Sequence, residues 1–201
     1  MKANYTHLIL VLDESGSMAG LTKATIEGVN ALVNNQESQA GVLTTALYTF
    51  NTNVKEVADF KVLDATTYRP QGSTSLLDAV GTAITNEGKR LANKAEEERP
   101  DKVVVVIVTD GEENASLHFT LDQVKEQITL QKDTYKWEFV FLGANIDAFA
   151  AGSMYGISIN STMQWQPDAN SITVMYASVG NSLSNYRSGL TAAVDLTTPT
   201  A

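Results

Sequence analysis

Three oxygen-bearing side chains stand at alternate positions near the start of the chain: Asp13, Ser15 and Ser17, within Asp13-Glu14-Ser15-Gly16-Ser17. One carboxylate and two neutral hydroxyls are hard donors. Gly16 lets the backbone bend between them, and alternate positions of an extended turn can aim all three oxygens at one point. A hard cation such as Mg²⁺ takes an octahedron of oxygen ligands at about 2.0–2.1 Å. The same residue types also cap helices, and the motif alone leaves both readings open. Two further polar clusters adjoin apolar segments: Gly72-Ser73-Thr74 and Asp110-Gly111.

The elements around these clusters must bring them together. Residues 8–12 (LILVL) run straight into Asp13 and read as a buried parallel strand. Residues 103–109 (VVVVIVT) form the strongest strand pattern and stop at Asp110 in the same way. Further strands are expected at 42–50, 54–63 (an edge or hairpin partner), 137–142 and 157–163. Helical spacing predicts helices over 20–39, 75–97 and 121–132, and a short one after a cap at Asp147. A last helix is expected over 168–189, with a core stripe of Ile172, Met175, Tyr176, Val179, Leu183 and Tyr186. The tail 195–201 is expected to fray. Strands separated by helices imply right-handed crossovers and a mainly parallel sheet. Ligands of such sheets sit beyond the strand carboxyl ends. Asp13 and Asp110 become neighbours there if their two strands are adjacent.

Composition narrows the function classes. The 201 residues suffice for one α/β domain, and 43% hydrophobic with 18% charged residues suit a soluble globular chain. With no Cys, disulfides, thiolate metal sites and cysteine nucleophiles are excluded, and two His make structural zinc a poor fit. The net charge of −9 argues against nucleic acid and anionic membranes as partners. No segment reaches the roughly 18 apolar residues of a membrane span. The N-terminal apolar run is charged too soon for a signal peptide, so the chain reads as cytoplasmic.

Taken together, the chain resembles the von Willebrand factor type A family with a metal-ion-dependent adhesion site. The family motif is D-x-S-x-S, a Thr in a distant loop, and an Asp at the end of the central strand. Here these are Asp13, Ser15 and Ser17, then Thr74 in Gly72-Ser73-Thr74-Ser75-Leu76, then Asp110 in Val108-Thr109-Asp110-Gly111. The order of elements matches over about residues 5–163, and the last helix is similar to that of bacterial and phage intracellular members. With no internal repeat and no linker between domains, the chain reads as a single domain over 1–201 of this family's fold, with a C-terminal helix at about 168–189. The resemblance implies a Rossmann-like, doubly wound, mainly parallel sheet of six strands, with helices on both faces and one short antiparallel edge strand. It also implies that Ser15, Ser17 and Thr74 supply hydroxyl oxygens, while Asp13 and Asp110 act largely through water or through the serines. Gly16, Asp78 and Gly111 are candidates for the surrounding shell.

This ligand set has a chemical consequence. Two carboxylates and three hydroxyls neutralise a divalent ion without saturating it with anions, so it retains affinity for one more carboxylate. The expected ion is Mg²⁺, with Mn²⁺ or Ca²⁺ able to substitute. The expected function is a non-enzymatic, metal-dependent protein-interaction module, with Asp or Glu supplied by a partner or a second copy. Two alternatives stand beside it: a Mg²⁺-dependent phosphohydrolase using Asp13, and a structural subunit whose metal only orders loops. The first lacks a second Asp, since Ser15 stands in its place. Among the neighbours, Glu14 is expected to face solvent, and Glu112 and Glu113 to cap the next segment or face water. His7, His118, Trp137 and Trp165 are expected to be structural.

Overall fold

Asp13 and Asp110 end strands that lie side by side. In the computed structural model, which describes residues 1–58 and 60–197, the chain runs β1 (Lys2–Asp13), α1 (Thr22–Glu37), β2 (Val42–Phe50), β3 (Val54–Val57), α2 (Leu76–Ala92) and β4 (Pro100–Thr109). It continues through α3 (Leu121–Tyr135), β5 (Glu138–Gly143), α4 (Ala148–Met154), β6 (Thr162–Gln164) and α5 (Ala169–Ser188). The sheet order is β3-β2-β1-β4-β5-β6, with only β3 antiparallel among the described strands. The chain winds one way from β1 to β2 and the other way from β4 onward. The switch point therefore falls between β1 and β4, where Leu12 stands opposite Val108.

Both faces of the central strands are buried, which is why they read as near-continuous apolar runs. Successive side chains alternate between faces. Leu8, Leu10, Leu12, Val104, Val106 and Val108 meet α1 and α5, and Ile9, Val11, Val105 and Ile107 meet α2 and α3. All six residues of the expected stripe on α5 are buried. Asp168 caps that helix by accepting from Ser171 N (2.9 Å), and Gly189 closes it at φ 79°. α5 crosses α1 closely: a Cβ at Gly28 would lie 2.2 Å from the Tyr176 ring.

Several boundaries differ from the sequence reading, each for a local reason. The first helix is preceded by a 3₁₀ turn, Gly16–Leu21, so α1 begins at Thr22. The expected helix 75–97 ends at Ala92, because Arg99 folds back to donate to Lys94 O and Ala92 O (both 3.0 Å). Pro100 also holds Arg99 extended. The edge strand stops at Val57, and Phe60 and Leu63 turn inward to the core. The last strand is three residues long, since Ser158 starts a 3₁₀ turn over Ile159–Ser161. The tail expected to fray is held over residues 195–197. Ser182 Oγ donates to Asp195 O (2.7 Å) and Leu196 N to Asn160 O (2.7 Å). Residues 198–201 lie outside the described residues.

The Gly28 contact gives a stability test. Gly28→Ala forces the buried Tyr176 ring aside, and urea denaturation should show a loss of about 1–3 kcal/mol.

Candidate metal centre

The site is built on two strand ends. Asp13 closes β1 fully buried, and Asp110 follows β4 at 2% exposure. Asp13 Oδ1 accepts from Ser15 N (2.7 Å), and Asp13 Oδ2 accepts from the Thr109 hydroxyl (2.6 Å). The backbone carbonyl of Asp13 accepts from Tyr68 OH (2.6 Å). Ser15 Oγ and Ser17 Oγ share a hydrogen bond of 3.1 Å, and Ser17 Oγ donates to Asp110 Oδ1 (2.6 Å). One run of short contacts thus links Asp13, Ser15, Ser17 and Asp110 across the switch point.

Thr74 joins from a separate loop. Its N–H donates to Asn114 Oδ1 (2.9 Å), and its carbonyl accepts from Asn114 N (3.0 Å). Its hydroxyl takes part in neither bond and lies beside Gly111, 3.8 Å from where a Cβ there would stand. Gly16 N donates to Gly72 O (3.1 Å), which brings the loop before Thr74 against the Ser15–Ser17 turn. Gly72 takes φ 75°, a conformation that glycine adopts without a Cβ clash.

The five residues singled out in the sequence therefore share one surface at the sheet's carboxyl edge, with Gly16 and Gly111 at its margin. Asp78 does not join them. Its carboxylate accepts from Leu117 N, His118 N and Phe119 N (2.8–2.9 Å). Burial pushes its pKa up, but those backbone donors outweigh it and the net shift is downward. Glu14 is buried, not solvent-facing: Arg69 N donates to its carboxylate and Gln71 N to its carbonyl (2.8 Å). Glu113 caps rather than coordinates, with Leu77 N donating to its Oε2 (2.8 Å). His7 is buried between Thr44 (2.8 Å) and Glu87 (3.1 Å), far along the strand from the site. Trp137 and Trp165 are buried packing residues.

Thr109, Asn114 and Tyr68 were not anticipated. Thr109 had a signal, since it directly precedes Asp110 at the end of a fully buried strand. Tyr68 and Asn114 had none, because their partners lie 55 and 40 residues away.

The electrostatics favour a cation. Burial, together with the charge of Asp110, raises the pKa of Asp13 against the hydrogen bonds from Ser15 and Thr109. Burial also raises Asp110, against the hydrogen bond from Ser17. No three acidic or His side chains gather into a metal cluster among the described residues. The donor set is two carboxylates and three hydroxyls, all oxygen, which fits a hard divalent ion of the Mg²⁺ or Mn²⁺ kind. Thr74's uncommitted hydroxyl and the two buried like charges are what such an ion would satisfy.

The comparisons agree with this architecture. The family model described as von Willebrand factor type A domain matches residues 7–164. Comparison with curated proteins gives no match. Among solved structures, proximal thread matrix protein 1 from the mussel byssus superposes with TM-score 0.63 at 16% identity, over 89% of this chain and 46% of that one. The chain thus spans about half the length of that protein. Another form of it, with a zinc-occupied metal-ion-dependent adhesion site motif, gives TM-score 0.61 at 15% identity, over 90% and 46% of the two chains. The manganese-loaded TRAP protein of Plasmodium vivax gives TM-score 0.55 at 19% identity, over 86% and 72%. At these identities the likeness is one of fold.

Removing one buried charge should stabilise the metal-free chain. A group whose folded pKa is raised contributes stability below its unfolded pKa and loses that contribution as pH rises through the folded value. Asp110→Asn should therefore raise the metal-free Tm at neutral pH by about 2–4 °C, the response of a chain this size to about 1 kcal/mol. The gain should fade as pH falls towards 3.8, the ordinary value for Asp. Thermal scans of both proteins in EDTA across pH check this.

Proposed function

The chain belongs to the von Willebrand factor type A family, and from that premise we propose that it is a metal-dependent protein-interaction module. Its site would hold one divalent ion through Ser15, Ser17 and Thr74, with Asp13 and Asp110 supplying the negative charge. The supporting observation is the convergence of these two buried carboxylates and three hydroxyls at the sheet's carboxyl edge, where Ser17 is the exposed member of the five. The ion would be Mg²⁺ in the cell, with Mn²⁺ or Ca²⁺ able to substitute. When bound, it supplies a positive centre that accepts one more carboxylate, from a partner protein or a second copy.

The chain's own residues have clear tasks in this reading. Asp13 orients the Ser15 turn and does not reach outward. Both its oxygens are engaged, by Ser15 N and Thr109 Oγ1, and a buried, doubly bonded carboxylate suits a ligand-orienting role better than a nucleophile. The proposal is therefore for a non-enzymatic protein; that it is cytoplasmic and binds neither nucleic acid nor membranes is proposed from its sequence and its charge of −9. Among the described residues, no helix is long and apolar enough to cross a membrane. The overall charge of −9 would repel an acidic partner. An ion at the edge would cancel the charge of Asp13 and Asp110 and offer an open coordination position to the incoming carboxylate. The rest of the charge is screened beyond the Debye length of about 8 Å.

Calorimetry with Mn²⁺ tests the metal step. Wild type should bind one ion, and Ser15→Ala with Ser17→Ala should abolish binding while leaving the circular dichroism unchanged. The core does not depend on the site, so the metal-free protein should stay folded, and Mg²⁺ at 100-fold excess over its Kd should add about 2.7 kcal/mol. Partner affinity should disappear in EDTA and survive moderate salt. Equal affinity with and without Mg²⁺, in wild type and double mutant alike, would mean that the partner uses another face.

A further inference from the structure

α2 begins without a cap of its own. Its N-cap residue Ser75 makes no capping hydrogen bond, and its hydroxyl donates instead to Asn51 O (2.6 Å). The first N–H groups of a helix need acceptors from outside it. Here they come from the loop that follows Asp110. Leu77 N donates to Glu113 Oε2 (2.8 Å), and Asp78 N donates to Ser116 Oγ (3.0 Å). The same Glu113 carboxylate accepts from Ala115 N (2.9 Å), Ser116 N (2.7 Å) and Ser116 Oγ (2.7 Å).

These bonds join two segments that each carry a site residue. Thr74 directly precedes Ser75, and Asp110 lies three residues before Glu113. Asn114, next to Glu113, holds the Thr74 backbone from both sides. Asp78 returns the connection to Leu117, His118 and Phe119, and the Phe119 ring sits 2.5 Å from where a Cβ of Gly81 would be. Thr74, the first turns of α2 and the loop after Asp110 are therefore one body.

We infer that Glu113 is a positioning residue of the metal centre, fixing the Thr74 hydroxyl relative to the Asp110 carboxylate so that both meet the ion as a preset pair. The inference rests on the metal reading above. Glu113 spends all of its observed hydrogen bonds on backbone and Ser116, so it acts through Thr74. Removing an outer partner of this kind costs about 10–100-fold in metal affinity.

The test is a double-mutant cycle on Mn²⁺ affinity, read by electron paramagnetic resonance of the free ion. Glu113→Ala and Thr74→Ala should each weaken binding about tenfold or more. The double variant should bind no more weakly than Thr74→Ala alone, because the two act as one unit. Glu113→Gln should recover only part of the affinity, since its single amide oxygen can accept from Leu77 N, or from Ala115 N and Ser116 N, but not from both sides as the carboxylate does. Unchanged affinity in Glu113→Ala, or losses that multiply in the double variant, would overturn the assignment. If Glu113→Ala fails to fold in a metal-free thermal scan, Glu113→Gln takes its place in the same cycle, and a Glu113→Gln variant with wild-type affinity would then overturn the assignment. A wild type that does not take up Mn²⁺ would instead overturn the metal reading itself.

Discussion

Two carboxylates end adjacent parallel strands, both buried, and the hydrogen bonds they accept come from hydroxyls and a backbone N–H. Most of the local structure answers to that constraint. Burying like charges is unfavourable unless each is hydrogen-bonded or met by a cation. Thr109 and Ser15 serve Asp13, and Ser17 serves Asp110. The hydroxyls keep both acids ionisable without neutralising them. A Lys in either place would neutralise the charge internally and leave nothing for an ion to do.

The constraint extends to the loops. Neutral hydroxyls offered to an ion, as proposed, would need their geometry set in advance. The Ser15–Ser17 turn is held by Gly72 O, Tyr68 OH and the buried Glu14, and the Thr74 loop by Asn114. Most of these bonds run between backbone and side chain across long stretches of sequence. The sheet supplies the two carboxylates, and the loops supply the hydroxyls.

This division explains what could be read from the sequence. The strands were legible because both faces of β1 and β4 are buried, which leaves unbroken apolar runs ending at Asp13 and Asp110. The α5 stripe was legible because its face against α1 has helical period. Ser15 and Ser17 were marked by their spacing, and Thr74 through the resemblance to a family motif. What escaped has no period. Glu14 looks like a solvent-facing acid, yet it is buried by Arg69 and Gln71, 55 residues or more along the chain. Asp78 stands one turn after Thr74 but faces the wrong way for the site, because three N–H groups of residues 117–119 claim its oxygens. The early end of α2 goes with Arg99 reaching back to the carbonyls of Ala92 and Lys94 at and just past the helix end, a local turn that charge pattern alone reads as a solvated helical face.

The central place of β1 also has a consequence for how the chain is made. It pairs with β2 on one side and β4 on the other, and the β4 partners of its core residues begin at Lys102. During synthesis β1, α1, β2, β3 and α2 emerge before that second neighbour exists. For that interval β1, apolar on both faces over residues 8–12, has one bare edge, the kind of surface on which unfinished chains associate. Closing the sheet then requires contacts between residues almost a hundred apart, which slows folding. The proposed ion site, split between the two sides of the same gap, would form only when β4 has docked, so metal uptake by a nascent or refolding chain would report the moment of sheet closure.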